Sequence, residues 1–340
     1  MRIALIAHGK LPIPPQGWGA VEGTIWQRAQ HLRRRGHTVD VYNSRAIDEV
    51  VAQVDDGSYD FVHCHNEQFA SVCNERLRSP FALTSHHPDL YGMAREDELR
   101  RGIGREPSVH LPAWFADTLH VPANLVLSPP IAALYRRHGY AGFLGVVRNA
   151  VETECFRMAD VGNGRAICLG RVCVRKRQAW LAEVVRGRVP VDFVGPHRAH
   201  EPFAENDEAR YLGEWSKDAV YERLTEYSCL VLLSKAENAP KVVIEGLAAG
   251  LSVVVNEASA ANLTNEPFIT VLDDEERRGN VINSAIEQAI ADNAALRPTI
   301  RAYAKHYFDY ARVLDHYLRL IHEFRLGITL AQFEPDSLET

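Results

Sequence analysis

CLVLLSKAENAPKVVIEGLAAGLSVVV, residues 229 to 255, reads as a strand, a loop, a helix and a second strand. Cys229 to Leu233 is a short apolar run closed by Ser234, the pattern of a strand buried on both faces. Lys235 to Asn238 is a polar corner, and Pro240 can open a helix because its missing N–H is not needed there. Val242, Val243, Gly246, Leu247 and Ala249 make an apolar helix face, and Gly250 supplies a left-handed stop. Leu251 to Val255 is the next buried strand. Consecutive strands joined through a helix require a parallel sheet, and such sheets bind ligands beyond the carboxyl ends of their strands. Two carboxylates belong to that end of the unit: Glu237 in the corner, and Glu245, whose side chain tilts toward the helix N-terminus. The N–H groups after Asn238 and the helix dipole favour an anion such as phosphate beside them.

The rest of the chain extends this pattern. At 340 residues it is long for one core and natural for two domains. A hydrophobic content of 46% and a charged content of 24% suit a water-exposed globular protein. A net charge of −6 argues against nucleic acid as a partner and gives no pull toward an anionic membrane. None of the six cysteines forms a close CxxC pair, so reduced thiols in the cytoplasm are expected. The apolar run after Met1 stops at His8-Gly9-Lys10, and no run approaches the ~20 residues of a membrane span.

Six strands are expected in the first half: Arg2 to Ala7, His37 to Tyr42, Tyr59 to Cys64, Phe81 to Ser85, Leu125 to Leu127 and Phe143 to Val147. Helices are expected at Glu22 to Arg35, Ile47 to Val54, Leu111 to Leu119 and Ala132 to His138. Leu11 to Gly19 is too rich in proline and glycine for regular structure, and Leu90 to Ser108 shows no period and reads as an irregular or mobile segment. The second half repeats the alternation with strands at Ala166 to Leu169, Val191 to Val194, Cys229 to Leu233, Leu251 to Val255 and Phe268 to Leu272. Its helices are placed at Lys176 to Arg186, Ser216 to Tyr227, Asp273 to about Asn293, and Arg297 to Phe324; His197 to Ala209 reads as a polar loop. The expected domains are 1–150, 151–300, a returning helix 301–326 and a tail 327–340. The fold class is α/β with parallel sheets.

Several residues carry chemistry by type and place. Gly170-Arg171 ends one strand and Lys176 follows five residues later. A guanidinium fork and an ammonium beside an anion-friendly helix end suit a diphosphate; a solvated patch with Arg175 and Arg177 is the plainer alternative. His63 and His65 share one strand face, and with His86 or His87 could form a metal site or simply pack. Lys241 could reach a diphosphate or be solvated, and Trp18 could stack on a sugar or join the core.

These stretches resemble, in order, the retaining GT-B glycosyltransferases of the large glycosyltransferase family 4 type. Glu237 and Glu245 have that family's E-x7-E spacing within AENAPKVVIEGLAAGLSVVV. LGRVCVRK resembles its GR-x4-K clamp, and VVRNAVETECF its interdomain segment, with Asn149, Val151 and Phe156 matching. QGWGAVE is similar to its glycine loop through Gly17, Gly19 and Glu22; RRRGHTVDVY, YDFVHCH and LTSHH resemble its first helix end and histidine-bearing strand ends. Ala20, Ala150, Ala239, Lys241 and Ser252 depart from the pattern.

The resemblance implies two Rossmann-like domains facing across a cleft, with a C-terminal helix crossing back to the first. It implies transfer of a sugar from a nucleoside-diphosphate sugar, UDP- or GDP-linked, to a hydroxyl of a small molecule or glycan, with retention and without a metal or other cofactor. Glu245 would hold the ribose. Arg171 and Lys176 would hold the diphosphate. Glu237 would contact the donor sugar near the reacting centre, Asn238, Ala239, Pro240 and Lys241 would belong to the donor-binding segment, and Gly17 and Gly19 would approach the phosphate. His86 would touch the reacting centre, and Trp18, His65 and His87 would face the acceptor. Homo-oligomerisation is left open. The competing functions are a sugar-nucleotide epimerase or phosphorylase on a similar scaffold, a dinucleotide-dependent oxidoreductase, and a non-catalytic sugar-nucleotide binder. The oxidoreductase fingerprint fails, because Gly17, Gly19 and Gly23 have the wrong spacing.

Overall fold

In a computed structural model, residues 1–327 are described apart from 18, 55–57, 107, 109 and 198–202; Trp18 and the tail beyond 327 lie outside the described residues. The chain divides into two compact units, one of residues 1–148 with 313 onward, the other of 149–312.

The first unit runs β1 (Arg2–Ala7), α1 (Ala20–Arg34), β2 (Thr38–Asn43), α2 (Ile47–Val54), β3 (Phe61–Cys64), α3 (Ala70–Arg76), β4 (Phe81–Leu83), α4 (Leu90–Gly102), α5 (Ala113–Thr118), β5 (Ala123–Val126), α6 (Pro129–Arg137) and β6 (Phe143–Val146). Its six strands are all parallel in the order β2-β1-β3-β4-β5-β6. The second unit runs β7 (Ala166–Leu169), α7 (Gln178–Val184), β8 (Val191–Val194), β9 (Ala209–Tyr211), α8 (Lys217–Arg223), β10 (Cys229–Leu232), α9 (Lys241–Ala248), β11 (Ser252–Asn256), β12 (Ile269–Leu272) and α10 (Gly279–Phe308). Its parallel order is β12-β11-β10-β7-β8-β9. The last helix, α11 (Tyr310–Arg325), begins in the second unit and packs in the first from Val313 on.

Both orders reverse direction once. In the first sheet β1 has β2 on one side and β3 on the other; in the second β7 lies between β8 and β10. Loops leaving such a pair diverge, and the crevice at their carboxyl ends is where an open α/β sheet binds ligand. Here those ends carry His8 and His65 in one unit, and Gly170-Arg171 and Lys235 to Asn238 in the other. Every residue of β10 and β11 is buried, as their unbroken apolar runs require.

Four expectations are corrected. Leu90 to Ser108 is not irregular: it begins with α4. Its buried stripe is Leu90, Ala94 and Asp97, and Asp97 interrupts the apolar period that would have revealed it. That carboxylate is 2.5 Å from His138 Nε2 and accepts the Ser108 N–H at 3.2 Å. The helix read as starting at Lys176 starts at Gln178, because Arg177 is left-handed at φ 58°. The polar loop read to Ala209 ends in the short edge strand β9, three residues with one buried side chain.

The helices read as 273–293 and 297–324 are divided elsewhere: α10 runs through Pro298, and the break falls at Asp309. Arg297, read as the first residue of the final helix, lies inside α10. It is fully buried, and its guanidinium donates to Ala159 O, Tyr227 O, Thr225 O and Asn293 Oδ1 at 2.6–2.9 Å. At Asp309 the backbone turns extended. Val151 N–H donates to Phe308 O, Tyr310 N–H donates to Val151 O, and the Thr153 hydroxyl donates to Asp309 Oδ2 at 2.5 Å.

Candidate functional site

In the second unit, β7 and β8 end at Gly170 and Gly195, both at positive φ. A Cβ on Gly195 would fall 2.3 Å from Gly170 O, so the end of β8 closes on that of β7 only with glycine at 195. Past Gly170 the chain turns through a 3-10 segment, Val174–Lys176. That turn aims Lys176 at the loop after β10, where its Nζ donates to Glu237 Oε1 at 2.8 Å. Arg175 Nη1 reaches the same oxygen at 3.0 Å and the Ala236 carbonyl at 2.5 Å, and Lys235 N–H donates to Arg175 O. The two loops are thus stitched together. Burial pushes the Glu237 carboxyl up, but Lys176 and Arg175 outweigh it and hold it below its ordinary value. Glu237 is therefore a fixed, ionised acceptor, and an ammonium with three donors keeps capacity for phosphate oxygens.

Arg171 is exposed at the end of β7, beside this cluster in the chain. Arg177 faces away from it: its Cζ lies 5.8 Å from the Trp180 ring centre, on a recess of about 460 Å³ that Cys173, Val174, Lys235 and Arg277 also line.

Beyond Glu237 the chain prepares α9. Ala239 is buried and left-handed at φ 61°, and its carbonyl accepts from Asn149 Nδ2 at 2.7 Å. Pro240 caps the helix and Lys241 opens it. Glu245 lies in the same helix, 7% exposed. It does not join Lys176. Its Oε1 accepts from Lys217 Nζ at 2.5 Å, and that ammonium also lies 4.8 Å from the Tyr221 ring and 5.6 Å from the Phe156 ring. Burial pushes the Glu245 carboxyl up, and Lys217 with Lys241 bring it below its ordinary value.

In the first unit the loop after β1 carries Gly17 at φ 93° and Gly19 at φ 159°, the latter capping α1. Glu22, 3% exposed in the first turn of α1, lies 3.3 Å from His8 Nε2. His65 and His86 meet, Nδ1 to Nε2, at 3.1 Å. His87 does not join them: it stacks on Trp114 with ring centres 4.2 Å apart. His63 is spent inside the unit, with Nε2 on Thr84 Oγ1 at 2.8 Å and Nδ1 facing the Tyr317 hydroxyl at 2.9 Å. The metal reading of these histidines loses its anchor there, because both ring nitrogens of His63 are already engaged. Among the described residues no group of three or more His, Cys, Asp or Glu is arranged around a metal position.

The residues that sequence reasoning missed are Lys217 and Arg28, and Arg175, read there only as part of a solvated patch, binds Glu237 instead. Lys217 and Arg28 lie within expected helices, Ser216 to Tyr227 and Glu22 to Arg35, and nothing in their sequence neighbourhood marks them. Each is revealed only by the carboxylate or ring it meets far along the chain.

No family model and no curated protein sequence matches the chain. Solved structures do match over nearly all of it. Sucrose-phosphate synthase from Thermosynechococcus elongatus superposes with a TM-score of 0.74 over 96% of this chain and 99% of that one, at 16% identity. The fold is GT-B. HepE from Anabaena, solved with UDP and glucose, matches with a TM-score of 0.68 over 95% and 100% of the two chains at 14% identity. The lipopolysaccharide outer core galactosyltransferase WaaB, in its apo form, matches at 0.67 over 95% and 99% with 12% identity. At these identities the likeness carries the architecture: two Rossmann-like units, each with one six-stranded parallel sheet.

Proposed function

We propose that the chain is a retaining glycosyltransferase of the E-x7-E type, moving a sugar from a UDP- or GDP-sugar to a hydroxyl of a small molecule or glycan. The observation that carries it is the Lys176–Glu237 pair at the reversal point of the second sheet, with Glu245 in the helix that starts just after it. Solved neighbours of the same fold include a protein bound to UDP and glucose, which supports a nucleotide-sugar donor.

In this reading the bond between the anomeric carbon and the diphosphate oxygen breaks, and its electron pair leaves on the phosphate. The acceptor oxygen bonds to that carbon, and its proton leaves with the departing diphosphate or the solvent. Charge grows on phosphate, so fixed cations aimed there lower the barrier. Arg171 and Lys176 take that role, with Lys176 held in place by Glu237. Glu237, kept ionised, receives hydroxyl hydrogens of the donor sugar beside Asn238, Ala239, Pro240 and Lys241. Glu245 gives Oε1 to Lys217 and Oε2 to the ribose. The two cations supply the positive charge that a divalent metal supplies elsewhere, so activity is expected to survive an excess of chelator. His86, Gly17 and Gly19 belong to the sugar and phosphate side of the first unit.

The test is a thermal-shift series with UDP, GDP, ADP and TDP. A nucleotide bound at 100 times its Kd adds about 2.7 kcal/mol of stability, which raises the melting temperature visibly. A response to one nucleotide directs the search for its sugar; silence to all four defeats the proposal.

A further inference from the structure

Arg28 lies on the buried side of α1, 6% exposed. Its Cζ sits 4.5 Å over the Tyr317 ring. Its Nη1 lies 3.3 Å from His63 Nδ1 and 3.5 Å from His65 Nε2, so one nitrogen addresses two rings with its two hydrogens. A guanidinium has five donors and no acceptor. Both histidine nitrogens facing it must therefore receive.

That one fact orders the whole chain of contacts. A neutral imidazole carries one N–H. His63, receiving at Nδ1, has its proton on Nε2. A second contact agrees: the Thr84 hydroxyl gives its hydrogen to Leu125 O at 2.6 Å, so Thr84 Oγ1 can only accept from His63 Nε2 at 2.8 Å. His65, receiving at Nε2, has its proton on Nδ1. That proton points at His86 Nε2, 3.1 Å away, with the two rings 24° from parallel. His86 Nε2 then receives, and the proton of His86 is on Nδ1. The opposite direction fails, because a proton on His65 Nε2 would face the Nη1 hydrogen. Burial holds both His63 and His65 well below the usual histidine range; Arg28 adds to this at each, and His63 adds more at His65.

We propose that Arg28 and His65 are positioning residues that lock His86 as its neutral Nδ1–H tautomer, so that His86 serves as a hydrogen-bond donor to a sugar or acceptor oxygen and not as a general base. The role given to the Nδ1 proton rests on the glycosyl-transfer reading; the relay itself does not. With Nε2 receiving from His65 and Nδ1 protonated, His86 has no lone pair left to take a proton from a hydroxyl. The group it recognises is an oxygen with a lone pair to offer: a sugar hydroxyl, a ring oxygen or a phosphate.

The test is the long-range 1H–15N spectrum of the full chain labelled with 15N-histidine, with His63, His65 and His86 assigned through single His→Gln variants. Wild type should show Nε2–H at His63 and Nδ1–H at His65 and His86. At His86 the ratio of Nδ1–H to Nε2–H should be at least ~10, the preference that a hydrogen bond anchored on a charged donor sustains. Arg28→Met should bring that ratio below ~2, because a thioether gives no hydrogen. Arg28→Lys should restore the wild-type pattern, because an ammonium is also a donor only. An Nε2–H signal at His86 in the wild type overturns the relay, as does an unchanged ratio in folded Arg28→Met. If Arg28→Met does not fold, the wild type and Arg28→Lys decide. In turnover, Arg28→Met should lower kcat with the donor KM unchanged. If no nucleotide raises the melting temperature while the tautomers are as stated, the glycosyl-transfer reading fails and the relay stands.

Discussion

Replacing Lys217 with methionine removes the ammonium 2.5 Å from Glu245 Oε1 and keeps most of the apolar stem against Tyr221 and Phe156. Removing one partner of a buried ion pair costs ~3–5 kcal/mol, because the other charge stays behind. Glu245 is buried, but the Lys217 side chain is 41% exposed, so water already screens part of the attraction and the expected loss falls to ~2–3 kcal/mol. Lys241 remains as the second cation near Glu245 and limits the loss further. The loss depends on pH with a definite sign. In the wild type the Glu245 carboxyl is held low, so its pair stabilises above the ordinary carboxylate value and that stability fades as pH falls. In Lys217→Met burial acts with less opposition and raises the carboxyl, so the fold holds a proton the unfolded chain has lost, and stability falls as pH rises. The difference between the two proteins should be widest near pH 8 and narrow toward pH 5. Urea unfolding at fixed pH measures it, within a cycle that includes Glu245→Gln. In the Glu245→Gln background Lys217→Met should cost under ~1 kcal/mol, because no carboxylate is left stranded. An equal cost in both backgrounds, or a cost independent of pH, would show that Lys217 acts only by packing.

Three further outcomes follow from the same geometry. His63 and His65 are held neutral below their usual range, so the folded state binds fewer protons than the unfolded one below pH ~6.5; each should remove up to ~1.4 kcal/mol per pH unit there, and His65→Gln should flatten the urea midpoint against pH. Ala239→Gly relieves a left-handed residue worth ~1–2 kcal/mol, less the entropy glycine loses, and should raise stability by ~0.5–1 kcal/mol; a lowered midpoint would mean that the methyl packs more than the backbone strains. Arg171→Ala should leave the melting temperature unchanged, since the side chain is exposed, and lower turnover by ~100-fold or more if it faces the leaving phosphate; wild-type turnover removes it from the clamp.

Strands were legible where apolar runs are unbroken. All six of the first sheet and five of the second announce themselves, and β9 escaped because three edge residues make no run. Two helices escaped: α3, seven residues with only Ala70 and Cys73 buried, and α4, where buried Asp97 interrupts the apolar period; α10 reads as helix but cut near Arg297, which is buried inside it. The burial of Asp97 and Arg297 is tolerable because they are hydrogen-bonded, and most of those partners are distant in the chain. The site divides in the same way. Arg171, Lys176, Glu237 and Glu245 are singled out by the ordered resemblance, since spacing alone reads Glu237 and Glu245 equally as surface charges. That Glu245 meets Lys217 could not be read, since 28 residues separate them and neither neighbourhood hints at the other. His87 shows the converse: adjacent to His86 in sequence, in the loop after β4, it stacks on Trp114 while His86 meets His65.

The bonds at Asp309 have a topological consequence. The chain enters the second unit at Asn149 and leaves it at Arg312, and just inside each crossing Val151 and Asp309 are paired side by side. The unit's beginning and end are therefore adjacent, as in a module spliced into a host chain at one place. Closing its ends costs the host little entropy, because the loop between them is already folded shut. A segment from 149 to 312 could be excised, circularised or exchanged with its own ends serving as the seam, and its six strands would need no new connection to remain a sheet.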